Sequence, residues 1–547
     1  MLNELRQFPG RLLLLACLGV FSSGAATPPA KGSFGILKNG QRAKPAPGAE
    51  LFANGVVLHF KIEVSAPELN ALRREPRNYA RATITEGGKV YKDVAIHVKG
   101  AAGSTRSVDD KPALTLSFGK FTPDQKFHGL RKIHLNNSVQ DGSYLNEILC
   151  GELFRAAGVP ATRGTHALVE LNGRKLGLFV MKEGFSKDFL GIYFKNPDGN
   201  LYDGGFLREI TDPLNLESGD ENSNWADLKT LAAAAQEPDN SKRWDRLQKT
   251  LDVDRFANYL VLEAMLWDWD GYMMNRNNYR VFHDLETDRM VFFPHGMDQM
   301  FWEVNGPMIP NMNGLVANAF MRTAEGRRLY RQRFSEIYTN VFQVKVLTNR
   351  VAQLAKTVTG ALATLDPNAA RDYQGQANRI RDLIVARAAF LEKQLNTPAP
   401  QPLKFENGVA KITGWRIENE AATAKLEQAK DPDGRAVLRI TTAMISATSW
   451  RAKVQLEAGH YRFEGLARTA GVVPVITPTK GAGAGLRISG SLAERTNKMS
   501  GDTPWKMLAY EFDVPPPGDE LVLVCELRAV KGDVWFDAAS LQLVRIK

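Results

Sequence analysis

Trp267-Asp268-Trp269-Asp270-Gly271-Tyr272-Met273-Met274-Asn275-Arg276-Asn277-Asn278, followed after a short apolar strand by Phe293-Pro294-His295-Gly296-Met297-Asp298, decides how this chain is read. Asp270 stands five residues before Asn275, and Asp298 follows the strand-like Met290–Phe293. A phosphotransferase needs one carboxylate to take or orient an acceptor hydroxyl proton. It also needs an amide and a second carboxylate to hold Mg²⁺ against nucleotide phosphates. The apolar spacing of Phe256, Tyr259, Leu260, Leu262, Met265 and Leu266 predicts a helix that ends just before Asp270, where loops carry functional side chains. Spacing alone also lets Asp268 and Asp270 cap turns and Asp298 cap a helix.

Working outward, His97-Val98-Lys99-Gly100-Ala101-Ala102-Gly103-Ser104-Thr105-Arg106 reads as a strand entering a loop of small residues, whose backbone N–H groups can cradle phosphate. Lys111 precedes the next strand, Ala113–Phe118, and a loop followed by a lysine is the order of kinase small lobes. The Walker pattern G-x-x-x-x-G-K-[ST] is absent. Taken alone, Lys99, Arg106 and Lys111 read more readily as solvated hairpin charges than as phosphate ligands. Glu147, Glu152 and Glu183 are carboxylate partners for such a lysine that spacing does not distinguish. His134 and His166, each flanked by apolar residues, read as structural histidines.

The 547 residues predict more than one domain. A formal charge of +10 suits phosphates and acidic polymers, but without a dense basic run or zinc-ligand spacing no specific nucleic-acid partner is expected. Arg6, Arg11, the apolar Leu12–Phe21 and Ser22–Ala26 read as a signal peptide over 1–26, too short to span a membrane. Leu14-Leu15-Ala16-Cys17 loosely matches a lipobox, so lipidation is an alternative to plain cleavage. The expected location is therefore periplasmic, secreted or cell-surface, with no transmembrane segment. Beyond Cys17 only Cys150 and Cys525 remain, which argues against a disulfide framework.

Residues 27–55, rich in Pro, Gly, Ala and Lys, read as a linker. Alternating strands fill Val57–Phe118, and Tyr144–Ala157 is a helix with Gly158 as its natural C-cap. A hairpin turns at Asn172-Gly173, residues 224–268 are helical, Arg280–Phe293 is a second hairpin, and 314–396 are helical with a break near Asp366-Pro367. A Pro-rich linker at 397–402 leads into 403–547, where short strands and Gly, Asp and Pro turns predict an all-β sandwich.

Taken in order, Val98-Lys99-Gly100, Ser104, Arg106 and Lys111, then Leu135-Asn136-Asn137, Asp141 and Leu145-Asn146-Glu147 resemble the CotH kinase family. Asn172-Gly173, Gly177-Leu178-Phe179, Glu183, Asp270-Gly271-Tyr272, Asn275 and Pro294–Asp298 continue the likeness. Where many relatives carry Trp-Asp-x-Asp, this chain has His295-Gly296-Met297-Asp298 and lacks the first Asp. The resemblance implies an α+β fold. An atypical protein-kinase-like domain over 56–396, with an antiparallel sheet lobe and a helical lobe, precedes an all-β jelly roll over 403–547. It implies ATP with Mg²⁺ or Mn²⁺ as cofactors, Asp270 as the catalytic acid/base, and Asn275 and Asp298 as metal ligands. Lys99, Gly100, Gly103, Arg106, Lys111 and Glu183 are implied at the nucleotide, and a protein Ser or Thr as acceptor.

The C-terminal part resembles a carbohydrate-binding module, on Trp450, Leu456–Phe463, Trp505 and Gly532–Asp537, which implies a polysaccharide partner. The three tryptophans fit a sandwich core as well as a sugar platform. A second reading stands beside the kinase: a non-catalytic surface protein that uses the kinase-like scaffold for docking.

Overall fold

Alternation of buried and exposed residues along Val57–Glu63 (β1) sets the pattern of the N-terminal part. The computed structural model describes residues 46–397, 401–417, 423–475, 481–489, 496–514 and 518–546. The expected leader with Cys17, most of the 27–55 arm and the middle of the 397–402 linker lie outside the described residues.

After β1 and helix α1 (Ala66–Arg74) come β2 (Ala80–Glu86), β3 (Lys89–Lys99), β4 (Ala113–Ser117) and β5 (Lys132–Asn136). Helix α2 (Asn146–Ala156) then leads to β6 (Gly164–Leu171) and β7 (Arg174–Glu183). The seven strands close into a barrel in the order β1-β2-β3-β4-β5-β7-β6. The expectation of a purely antiparallel sheet is corrected here. β1 and β6 pair in parallel, from Val57↔His166 to Ile62↔Leu171, and closure leaves no free edge. The Asn172-Gly173 turn forms as expected, with φ of 48° and 80°. Asn172 also locks the closure, since its amide accepts from Val64 N–H (2.7 Å) and donates to Val64 C=O (2.9 Å).

The following segment holds α3 (Lys187–Tyr193), β8 (Leu201–Asp203), β9 (Asn215–Ser218), α4 (Ala226–Gln236), α5 (Asn240–Thr250), α6 (Val253–Leu266) and α7 (Tyr272–Asn275). The hairpin β10 (Tyr279–Asp284) and β11 (Arg289–Pro294) joins β8 and β9 in a sheet of order β11-β10-β8-β9. Helices α8 (Leu315–Met321), α9 (Ala324–Asn340), α10 (Val344–Ala363) and α11 (Pro367–Leu395) complete it. The break before α11 is a cap: Asp366 accepts from Asn368 N–H (2.8 Å), and Pro367 sits where no backbone donor is needed. Helix α6 is buried on nearly every side, which places it in the middle of the largest apolar core.

The remaining strands are β12 (Val409–Lys411), β13 (Arg416–Ile417), β14 (Ala424–Lys430), β15 (Ala436–Thr442) and β16 (Ser446–Leu456). They continue with β17 (Gly459–Pro474), β18 (Gly483–Ile488), β19 (Gly501–Val514), β20 (Asp519–Asp537) and β21 (Gln542–Arg545). Long β20 pairs with β15, β16, β17 and β18 along its length, so a single strand serves several neighbours around a separate apolar core. This region does not stand apart from the helices. Arg327 on α9 donates to Asp519, and Ala46–Lys547 forms one compact unit.

Candidate active site

Helix α2 begins at a buried carboxylate: Asp141 accepts from Ser143 N–H and Asn146 N–H, each at 3.0 Å. This fixes two adjacent side chains. Asn146 donates to the Asp298 carbonyl (2.9 Å), and Glu147 faces the barrel. There Lys182, on β7 and 1% exposed, donates to Glu147 at 2.5 Å. Asn136 on β5 donates to the other Glu147 oxygen (2.8 Å), and its own oxygen accepts from Lys99 (2.6 Å). Lys99, Asn136, Glu147 and Lys182 thus form one continuous polar chain. A buried ion pair is stable only when its remaining lone pairs are satisfied in this way. Burial, and then the neighbouring Lys182 cation, lower Lys99 to about 7.

Across the cleft, α6 ends at Trp267 in the left-handed region, φ 50°. Buried Glu263 accepts from Tyr272 N–H (2.8 Å) and Met273 N–H (2.9 Å), which starts α7 and fixes the loop between. In that loop the Asp270 carboxylate accepts from three amides: Asn275 (2.8 Å), Asn277 (3.1 Å) and Asn278 (2.9 Å). Neutral donors hold it in one orientation without a cation. Asp298 keeps some residue surface, but its charged end is enclosed. Burial raises it to about 7, with the Glu147 and Asp141 charges adding to the effect.

Lys99, Glu147, Asp270, Asn278 and Asp298 line a single cleft of about 520 Å³. A wider groove of about 600 Å³, beside Asn54, His59 and Lys356, gathers none of these groups. The small-residue loop reaches the cleft through Gly100, Ala101, Ala102 and Ser104. Asn137 holds both ends of that loop by donating to the Ser104 carbonyl (3.1 Å) and the Lys111 carbonyl (2.9 Å). His134 and His295 also line the cleft, and burial followed by nearby cations keeps both well below the usual histidine range. His134 bonds to Thr115 (3.0 Å), while the His295 Nδ1 has no partner among the described residues. His166 is structural, bonded to the Tyr144 carbonyl at 2.9 Å.

Of the residues expected at this site, Lys99, Gly100, Asp270 and Asp298 converge. The others are placed differently. Lys111 donates to Tyr144 Oη (3.3 Å) and lies 5.0 Å from the ring centre of buried Phe179, and it does not line the cleft. Glu183 follows Lys182 on the strand and so turns to the opposite face, where it pairs with Arg163 at 2.6 Å. Glu152 pairs with Arg350, also at 2.6 Å. Arg106 folds back onto the Gly103 and Thr105 carbonyls, and Gly103 packs against Gln140. Asn275 supports Asp270 from outside the lining, whereas Asn278 lines the same cleft as Asp298. A Cβ on Gly296 (φ +62°) would come within 2.5 Å of Asn278 Oδ1. The glycine that replaces the first Asp of Trp-Asp-x-Asp therefore makes room for this amide. Lys182 has no place in the sequence reading, while Asn136 and Asn137 enter it only as points of the family resemblance and Asn278 only as the end of the 267–278 stretch, none with a role.

Among the described residues no three His, Cys, Asp or Glu side chains form a metal cage. Mg²⁺ held by one or two carboxylates and substrate phosphates needs none. The donor set suits such an ion, since Asp298 is a desolvated acid beside other carboxylates and the nearby Asn278 offers an amide oxygen.

The chain belongs to the CotH kinase family: the family model described as CotH kinase protein matches residues 96–391, more than half of the chain. It is similar to the inner spore coat protein H of Bacillus subtilis, 20% identical over 50% of this chain and 82% of that protein. It is also similar to invasin CotH2 of Rhizopus delemar, 24% identical over 51% of this chain and 52% of that protein. The chain thus spans about half the length of the fungal invasins it matches. Among solved structures, the Helicobacter pylori proinflammatory kinase CtkA aligns at 10% identity and TM-score 0.24, over 58% of this chain and 93% of that one. A TmCBM61 complex with β-1,4-galactotriose aligns at 17% identity and TM-score 0.19, over 25% of this chain and 92% of that one. Both scores are too low for the likeness to bear on function.

Proposed function

We propose that the protein is an exported kinase that transfers the γ-phosphoryl group of ATP, with Mg²⁺ or Mn²⁺, to a Ser or Thr hydroxyl of a protein. The observation that carries this reading is the single cleft lined by Lys99, Glu147, Asp270 and Asp298, with buried Lys182 paired to Glu147. On this reading the barrel is the nucleotide lobe and the helical region the acceptor lobe. A bound metal ion would neutralise phosphate charge, held by Asp298 with Asn278. Lys182, steadied by Glu147, and Lys99, steadied by Asn136, would take phosphate oxygens, and Gly100–Ser104 would lend backbone N–H groups. Asp270, fixed by three amides, would accept the proton of the acceptor hydroxyl as its oxygen bonds to the γ-phosphorus. The bond from that phosphorus to the bridging oxygen breaks, and ADP leaves.

The names of the spore-coat and invasin relatives support a surface location. Among the described residues no helix is long and apolar enough to cross a membrane. The jelly-roll sandwich is proposed to bind polysaccharide independently of the transfer. Trp450 is taken up by the core (3% exposed), so the candidate face is that of half-buried Trp505 and Trp535, with Arg468 5.3 and 4.5 Å from their ring centres. Retention on insoluble polysaccharide that Trp535→Ala leaves intact would remove that role from this face.

The transfer is tested with γ-labelled ATP and Mg²⁺ or Mn²⁺ on the protein and on Ser-containing peptides. Label is expected with the native chain and not with Asp298→Asn. Absence of label, together with absence of nucleotide binding by calorimetry, would favour the non-catalytic docking reading.

A further inference from the structure

Strand alternation turns Leu438, Ile440, Ala467, Val534 and Phe536 into the sandwich core, so their sequence neighbours share the opposite face. On that face the register places Glu427 (β14) beside Arg439 (β15), Arg439 beside Trp535 (β20), and Trp535 beside Arg468 (β17). Strand β19, which pairs with β17, adds Trp505. Guanidiniums and indoles alternate along this row. Trp535 has Arg468 at 4.5 Å and Arg439 at 5.2 Å from its ring centre. Trp505 has Arg468 at 5.3 Å and Arg435, on the turn before β15, at 5.4 Å.

The acids of the row are already used. Asp533 accepts from Arg439 (2.8 Å) and Thr441 (2.6 Å). Glu427 pairs with Arg439 (3.2 Å) and Lys425 (2.7 Å). Arg435 and Arg468 are left over: among the described residues neither guanidinium has a hydrogen bond or an ion pair. Arg468 Nε and Trp505 Nε1 are buried donors that also lack an acceptor. The row therefore ends in a surplus of donors and positive charge. A guanidinium held against an indole keeps its planar N–H fork, which matches a carboxylate or sulfate. With two guanidiniums close to each ring centre, the row offers N–H edges rather than open ring faces for a neutral sugar to stack on.

We propose that this row is a binding site for an anionic polysaccharide, whose carboxylate or sulfate groups are taken by Arg435 and Arg468 beside Trp505. This rests on the polysaccharide-binding reading of the sandwich and names the class of chain it selects. A neutral chain leaves both guanidiniums unpaired and is bound less tightly.

The test uses the full chain and two matched pairs of dye-labelled oligomers followed by anisotropy: polygalacturonate beside its full methyl ester, and dextran sulfate beside dextran. The native protein should bind at least one acidic member about tenfold or more tightly than its neutral counterpart, the scale of one hydrogen bond to a charged group. The acid that is preferred separates carboxylate from sulfate. Arg435→Gln should remove most of that preference. Arg435 is exposed, so its variant remains informative where Arg468→Gln does not fold. Lys404→Gln with Lys453→Gln, which removes two exposed charges near the other end of β20, should leave the preference intact. An equal loss in that control, or equal binding of polyglutamate, would reduce the effect to net charge and overturn the site. Equal binding of acidic and neutral members, unchanged in Arg435→Gln, would overturn the anionic site and leave the polysaccharide reading standing. No binding of any of the four would overturn both. Single-stranded DNA released by Arg435→Gln, with the polysaccharides unaffected, would assign the row to nucleic acid and refute the proposal.

Discussion

Asp298→Asn should make the protein more stable in the absence of nucleotide, and more so as pH rises. Enclosure and the Glu147 and Asp141 charges raise Asp298 from the usual 3.8 to about 7. Between those values the folded chain holds a proton that the unfolded chain releases, so stability falls as pH climbs from about 4 to about 7 and is level above. At 1.4 kcal/mol for each tenfold change, the charged carboxylate costs the fold up to about 4 kcal/mol at pH 8, an upper bound because the cleft admits water. The neutral amide is free of that cost. Denaturant unfolding followed by tryptophan fluorescence, native beside variant at pH 4 to 8, reads the difference directly. The gap should open through this window and close when Mg²⁺ with a non-hydrolysable ATP analogue stabilises only the native chain. A gap independent of pH, or a variant less stable at pH 8, would refute the account of Asp298.

Lys182→Met leaves Glu147 buried without its cation, and the fold should lose about 3–5 kcal/mol, seen as a lower unfolding midpoint, with weaker nucleotide binding by calorimetry. Arg387→Met strips donors from four carbonyls around α6 and 304–306; a comparable loss is expected by denaturant titration, with faster hydrogen exchange confined first to those segments. Gly296→Asp introduces a Cβ against Asn278 Oδ1 at a positive φ; nucleotide affinity should fall at least tenfold in calorimetry, and an unchanged affinity would separate Asn278 from the metal side of the cleft.

What the sequence discloses follows from how local each signal is. Asp270 and Asp298 are visible because a helix end and a strand end place them within a few residues. The Asn172-Gly173 turn and the Asp366-Pro367 cap are equally local. Lys182 escapes notice because its partner Glu147 is 35 residues away, and only the closing of β5 onto β7 brings them together. The alternation of β7 contained the missing hint: Lys182 and Glu183 must face opposite sides, so only one can pair with Glu147. Lys111 drew attention by its place after a small-residue loop, but strand β4 starts two residues later and its side chain is spent on Tyr144 and Phe179. The parallel β1–β6 closure has no local mark. Nor has β20, which runs through several pairings as one strand.

The most direct test of the central claim separates binding from chemistry in Asp270→Ala. Calorimetry with Mg²⁺ and ATP analogue should give an affinity within a few-fold of the native protein, because Asp270 is held by amides and not by the phosphate-side lysines. Transfer from γ-labelled ATP should fall by about a hundredfold or more, the usual worth of a positioned acid/base. Undiminished transfer by Asp270→Ala would contradict the account.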